Sequence, residues 1–143
     1  MKKLILLITV LTFFGCDKDT TAPGGTGGVN TDNLTELEGN WNGYVVNLSS
    51  GWTLIMSGSV CSVTDGNDEW YMGTVSINTQ TNPKQIDVVI TASAYSPYIG
   101  TTALGIYKIE NNTLTFAAYE PGTTSRPTSF NDSYARVFIL TKQ

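Results

Sequence analysis

The chain has 143 residues with 12 acidic and 8 basic side chains, a formal net charge of −4, and no histidine. That length is one domain. The missing histidine excludes the Ser-His-Asp triad, the Cys-His pair and imidazole metal ligands, and the acidic balance excludes a basic nucleic-acid-binding surface. Charged residues are only 14% of the chain, against about 25% in an average soluble domain. Thr, Ser and Asn make up the difference with 21, 11 and 11 residues, beside 14 Gly, 3 Trp and 7 Tyr, the composition of a β-rich chain with many turns.

Residues 1–15 read as an address. Lys2 and Lys3 precede an apolar run from Leu4 to Phe14, too short to span a bilayer, which takes about 20 residues, but right for the apolar core of a secretory signal peptide. The run ends in Gly15-Cys16. A small residue directly before a Cys in this position resembles the bacterial lipobox, which implies cleavage before Cys16 and acylation of its sulfur. Residues 16–33 are Gly-, Thr- and Asp-rich, with nothing to bury, and read as the lipidated Cys and a flexible tether. Loss of Lys2 and Lys3 takes the net charge from −4 to −6, so the acyl chains alone would hold the protein on an anionic membrane. Asp17 resembles either an inner-membrane retention signal or part of a surface-export signal, which leaves the membrane open. The expected location is the bacterial cell envelope, lipid-anchored, as a monomer.

Residues 34–143 alternate short apolar runs with turn clusters at steps of about 8–12 residues, the pattern of a barrel or sandwich. In chain order, a helical turn at 34–38 is followed by eight strands near 40–47, 52–56, 59–64, 69–78, 85–91, 102–109, 113–119 and 134–141. Asp65-Gly66-Asn67-Asp68 and Glu110-Asn111-Asn112 are the clearest hairpin turns. Pro121 to Asn131 is a long loop. The fold class is all-β, an eight-stranded antiparallel up-and-down barrel, whose closure removes exposed edges. Such a barrel is either filled by its side chains or holds one small ligand. Large residues expected to point inward on the last strands include Ile86, Val88, Ile90, Leu114, Phe116, Val137 and Ile139.

A set of short motifs in fixed order carries a resemblance over about residues 36–141. Leu37-Glu38-Gly39-Asn40-Trp41, Asn82-Pro83-Lys84-Gln85-Ile86-Asp87, Leu104-Gly105-Ile106-Tyr107, Leu114-Thr115 and Arg126-Pro127-Thr128-Ser129-Phe130 are similar to the lipocalin-like domain family of bacterial secreted proteins and lipoproteins, whose function is largely unassigned. The resemblance implies a lipocalin-like (calycin-type) barrel and no catalytic residues. Gly39-x-Trp41 also resembles the start of true lipocalins, in which the Trp plugs one barrel end under a basic residue; Arg136 or Lys142 is the expected cation.

Asp87 and Arg126 are the charged positions of these motifs, and read either as a carboxylate or phosphate site or as an ion pair pinning the long loop. Trp52, Trp70, Tyr71, Tyr95 and Tyr98 read as partly exposed aromatics, suited to a mouth or to cross-strand packing. Cys61 lies in an alternating strand without a neighbouring base, and reads as a buried apolar side chain. Asp65, Asp68 and Glu69 share one turn without a calcium-loop spacing, and read as a solvated turn. No metal site, cofactor or enzymatic activity is expected. The partners expected are the membrane, through acyl chains on Cys16, and either a small apolar ligand or an envelope protein.

Overall fold

The computed structural model describes residues 34–143; the segments expected to be a signal peptide (1–15) and a lipidated tether (16–33, with Cys16) lie outside the described residues. A short 3-10 helix, Leu34–Glu36, leads into eight strands: β1 Gly39–Val45, β2 Gly51–Ser57, β3 Val60–Thr64, β4 Trp70–Asn78, β5 Lys84–Ser93, β6 Thr102–Glu110, β7 Thr113–Ala118 and β8 Arg136–Lys142. Each strand pairs antiparallel with the next, and β8 pairs with β1 to close the barrel. The expected architecture is the one found, with strand limits shifted by two residues or fewer.

Local chemistry explains the turns and the tight places. Asn111 and Asn112 both have positive φ, 49° and 63°, so β6 and β7 are joined by a two-residue hairpin of the type that matches strand twist. Gly43 is required by a close approach: a Cβ there would lie 1.9 Å from the Ile139 carbonyl oxygen on β8. A bulge between Met72 and Gly73 shifts the β4–β5 register and bends the sheet toward closure.

The two barrel ends differ. One end is packed shut. Trp41, Ile77 and Tyr107 are buried there, and Trp41 Nε1 donates to the Leu37 carbonyl at 2.8 Å. Glu36 straps the helix to the wall, accepting from Lys84 Nζ at 2.8 Å and from the Tyr107 hydroxyl at 2.5 Å. The segment 46–50 and the loops 65–69, 94–101 and 119–135 gather at the other end. Because strand number is even, the chain enters β1 and leaves β8 at the closed end, away from these loops.

One expectation about packing is corrected. Val137 and Ile139 do not point inward; Arg136, Phe138 and Leu140 do. Val137 instead packs outside the wall with Ile106 and Ala117, under Phe130 and Ala135 of the 119–135 loop. Both faces of β8 are apolar, so alternation alone did not choose between them.

Candidate functional site

The inward positions leave a cavity of about 420 Å³ running from the open end toward Leu37, within the roughly 300–1,000 Å³ of ordinary small-molecule sites. Its walls are apolar, with Leu54, Val63, Val75, Ile90 and Phe138 among the residues lining it. Of the seven large residues expected to point inward, Ile86, Val88, Ile90, Leu114 and Phe116 line the cavity without closing it. Three of the strand positions facing it are small: Cys61, Ala103 and Ala118. An aromatic band stiffens one side. The Trp52 ring meets Phe138 edge-on at 5.3 Å, and Phe138 stacks on Phe116 at 5.5 Å, arrangements favoured by the ring quadrupoles.

Cys61 is buried in this wall. Burial pushes its thiol up to about 11, so it is a neutral, apolar lining group at physiological pH.

The polar part of the site sits at the mouth. Glu69 and Tyr71, two residues apart, meet Arg136 from the far end of the sequence. The Tyr71 hydroxyl donates to Glu69 Oε1 at 2.5 Å, and Arg136 Nη1 donates to the same oxygen. Arg136 also lies over the Trp52 ring, 5.7 Å from its centroid. Burial raises the Tyr71 pKa, and the neighbouring Glu69 carboxylate raises it further, so the phenol stays a donor. Arg136 is held charged: burial opposes its charge, but Glu69 and Tyr71 outweigh that and raise its pKa. Tyr98 and Glu120 complete the rim.

The Asp65 turn positions Glu69. Asp65 Oδ1 accepts from the Asn67 and Glu69 backbone amides at 2.9 and 3.1 Å. The Asn67 amide holds the Asp65 carboxyl below the usual range; burial opposes it, and the Glu69 amide adds to the lowering. Asp65 and Glu69 thus face different partners, and among the described residues no group of three His, Cys, Asp or Glu is placed to hold a metal.

Asp87 and Arg126 do meet, but on the outside of the barrel. Ile86 and Val88 point into the cavity, so Asp87 between them points out. Its Oδ1 lies 2.6 Å from Arg126 Nη2. That oxygen is buried and has no hydrogen-bond partner in the strict sense; the contact is an ion pair with poor hydrogen-bond angles. Arg126 Nη1 donates to the carbonyls of Ile86 at 3.1 Å and Gly105 at 2.5 Å. With Pro127 fully buried beside it, Arg126 fastens the 119–135 loop across β5 and β6. Its donors are turned to protein acceptors and away from the cavity.

Trp41 is the plug of the closed end, and its cation is Lys142, with Nζ 5.2 Å from the ring centroid. Arg136 is at the other end of β8 and belongs to the mouth. Of the aromatics expected to be partly exposed, Trp52 is buried at 2% exposure, while Trp70 and Tyr95 are exposed. Glu69 and Tyr71 as partners of Arg136 had no sequence signal, since 67 residues separate Glu69 from Arg136.

Comparison of the chain with protein-family models, with curated proteins and with solved structures finds no match.

Proposed function

We propose that this chain is a lipid-anchored binding module of the bacterial cell envelope whose lipocalin-like barrel takes a small, largely apolar ligand. The observation that carries the reading is the cavity of about 420 Å³ with apolar walls and one open end. Burying the apolar surface of a ligand against such walls is the driving force, at about 25 cal/mol per Å². Among the described residues no metal-holding cluster is found, and the one thiol in the wall, Cys61, is kept neutral by burial, so the apolar lining supports binding best.

Anchorage at Cys16 rests on the Lys2-Lys3 start, the Leu4–Phe14 run and Gly15-Cys16. The chain joins the barrel at the closed end, so a tether attached there leaves the mouth free. The test is native mass spectrometry of the protein purified from its host membrane. The expected result is a co-purifying small molecule that is lost on denaturation, on a chain carrying acyl mass at Cys16.

A second reading has its own observation. Val46, Leu48, Tyr95, Ile99 and Tyr134 are exposed near the mouth, Tyr134 at 89%. Exposed apolar groups gathered in one region favour a protein partner. Recovery of a bare chain together with a stoichiometric envelope protein would favour that reading.

A further inference from the structure

The mouth places a cation against the cavity, yet that cation is already paired. Arg136 lines the cavity and is paired with Glu69, which also holds the Tyr71 hydroxyl. The remaining charged group lining the rim is Glu120. Tyr98 stands beside it; burial first, then the Glu120 charge, raises the Tyr98 pKa. The Tyr119 hydroxyl, next in the chain, is turned to Asp132 Oδ2 at 2.5 Å. A ligand head at the mouth therefore meets one cation already neutralised, with a further carboxylate on the rim.

Three consequences follow for the head group. A guanidinium carries more N–H donors than one carboxylate oxygen engages; Arg136 spends Nη1 on Glu69 and keeps the others for an acceptor. A cationic head finds the Trp52 face, the aromatic surface that would receive it, already covered by Arg136. A free carboxylate enters against Glu69 and Glu120, a like-charge contact that disfavours the ionised form. Below the mouth the walls are apolar down to Leu37, which suits one unbranched or compact apolar tail.

We infer that the ligand is a single-tailed amphiphile whose head is an uncharged hydrogen-bond acceptor, of the ester, amide or ketone class, received by Arg136 within the Glu69–Tyr71–Arg136 cluster. This rests on the cavity being a ligand site and adds the polarity of the head. Glu69 is the specificity-determining residue: it cancels the charge that would otherwise select an acid.

The experiment uses the full-length protein in a bulky steroid-based detergent, incubated at pH 8 with equimolar dodecanamide and dodecanoic acid, and counts the complexes by native mass spectrometry. The amide complex is expected to outnumber the acid complex at least tenfold, and Glu69→Gln to reverse the ratio. If that variant loses its fold by circular dichroism, Glu120→Gln on the rim replaces it, with a severalfold shift toward the acid expected. An acid complex equal to or above the amide complex in the wild type, or a ratio unmoved by the substitution, overturns the inference while leaving the cavity a ligand site. A folded wild type that takes up neither compound overturns both.

Discussion

Lys142 Nζ stands 5.2 Å from the centroid of the Trp41 ring, the last strand's cation covering the first strand's plug. β1 and β8 are neighbours across the closing seam, with Trp41 opposite Lys142 in the register. The contact therefore exists only when the barrel is closed. Removing the cation by Lys142→Ala is expected to cost about 0.5–1 kcal/mol, and truncating the buried ring by Trp41→Ala about 3–5 kcal/mol. Urea unfolding of both single variants and the double variant measures the coupling; additive losses would mean that the two side chains do not interact.

Glu36 gives the closed end a pH dependence. Burial raises its pKa, but the hydrogen bonds from Lys84 and Tyr107 and the Lys84 charge outweigh it, so the folded value lies below that of an ordinary glutamate. A depressed folded pKa contributes stability that is present above the unfolded value and lost as pH falls through the folded one. Glu36→Gln is expected to lower Tm at pH 7 by about 4 °C, the equivalent of about 1 kcal/mol. That gap should shrink between pH 5 and pH 3. Thermal melts across this range check it, and a constant gap would assign the loss to packing alone.

The Arg126 pin predicts a stability effect without a ligand effect. Arg126→Ala leaves Asp87 Oδ1 buried without its cation and frees the Ile86 and Gly105 carbonyls. The expected cost is about 3 kcal/mol. Arg126→Lys should recover little of it, because an ammonium does not span two carbonyls and a carboxylate as the planar guanidinium does. Proteolysis in the 119–135 loop should rise in both variants. Ligand affinity in the folded protein should not move, since the pair faces away from the cavity; a large loss of affinity would restore the reading of Asp87 and Arg126 as a binding site.

Gly43 and Gly51 make a matched pair in neighbouring strands. A Cβ at Gly43 collides with Ile139 backbone at 1.9 Å, whereas at Gly51 the nearest atom is 3.8 Å away. Gly43→Ala is expected to cost about 1–3 kcal/mol by overpacking the seam, and Gly51→Ala well under that. Chemical denaturation of the two variants checks this, and equal losses would contradict a close β1–β8 approach at Gly43.

The strand order was legible because turns and alternating runs are local signals. Asp65-Gly66-Asn67-Asp68 and Asn111-Asn112 announce their hairpins, and Ile86-Asp87-Val88 shows which face of β5 points inward. β8 was not legible to the residue. Val137-Phe138-Ile139-Leu140 is apolar throughout, and only the outer cover supplied by Phe130 and Ala135 decides which face is which. The mouth was the least legible part. Glu69 reads as one acid of a solvated turn and Tyr71 as one aromatic among several; their meeting with Arg136 is made by closure of the barrel, which no local pattern encodes. Whether the interior was filled also depended on a summed property. The large residues named for the interior were mostly the right ones, and small residues at Cys61, Ala103 and Ala118 keep them from meeting.

The most direct test of a ligand-binding interior is to fill it. Ala103 lines the cavity and is 8% exposed, so Ala103→Phe puts a ring where a ligand tail would lie. The measurement is titration of wild type and variant with N-phenyl-1-naphthylamine, an apolar fluorescent probe, following energy transfer from tryptophan, with circular dichroism to confirm that both are folded. Saturable binding at one probe per wild-type chain is expected, with at least a tenfold weaker response in the folded variant. Equal binding by both chains, or no saturable binding by the wild type, would contradict it.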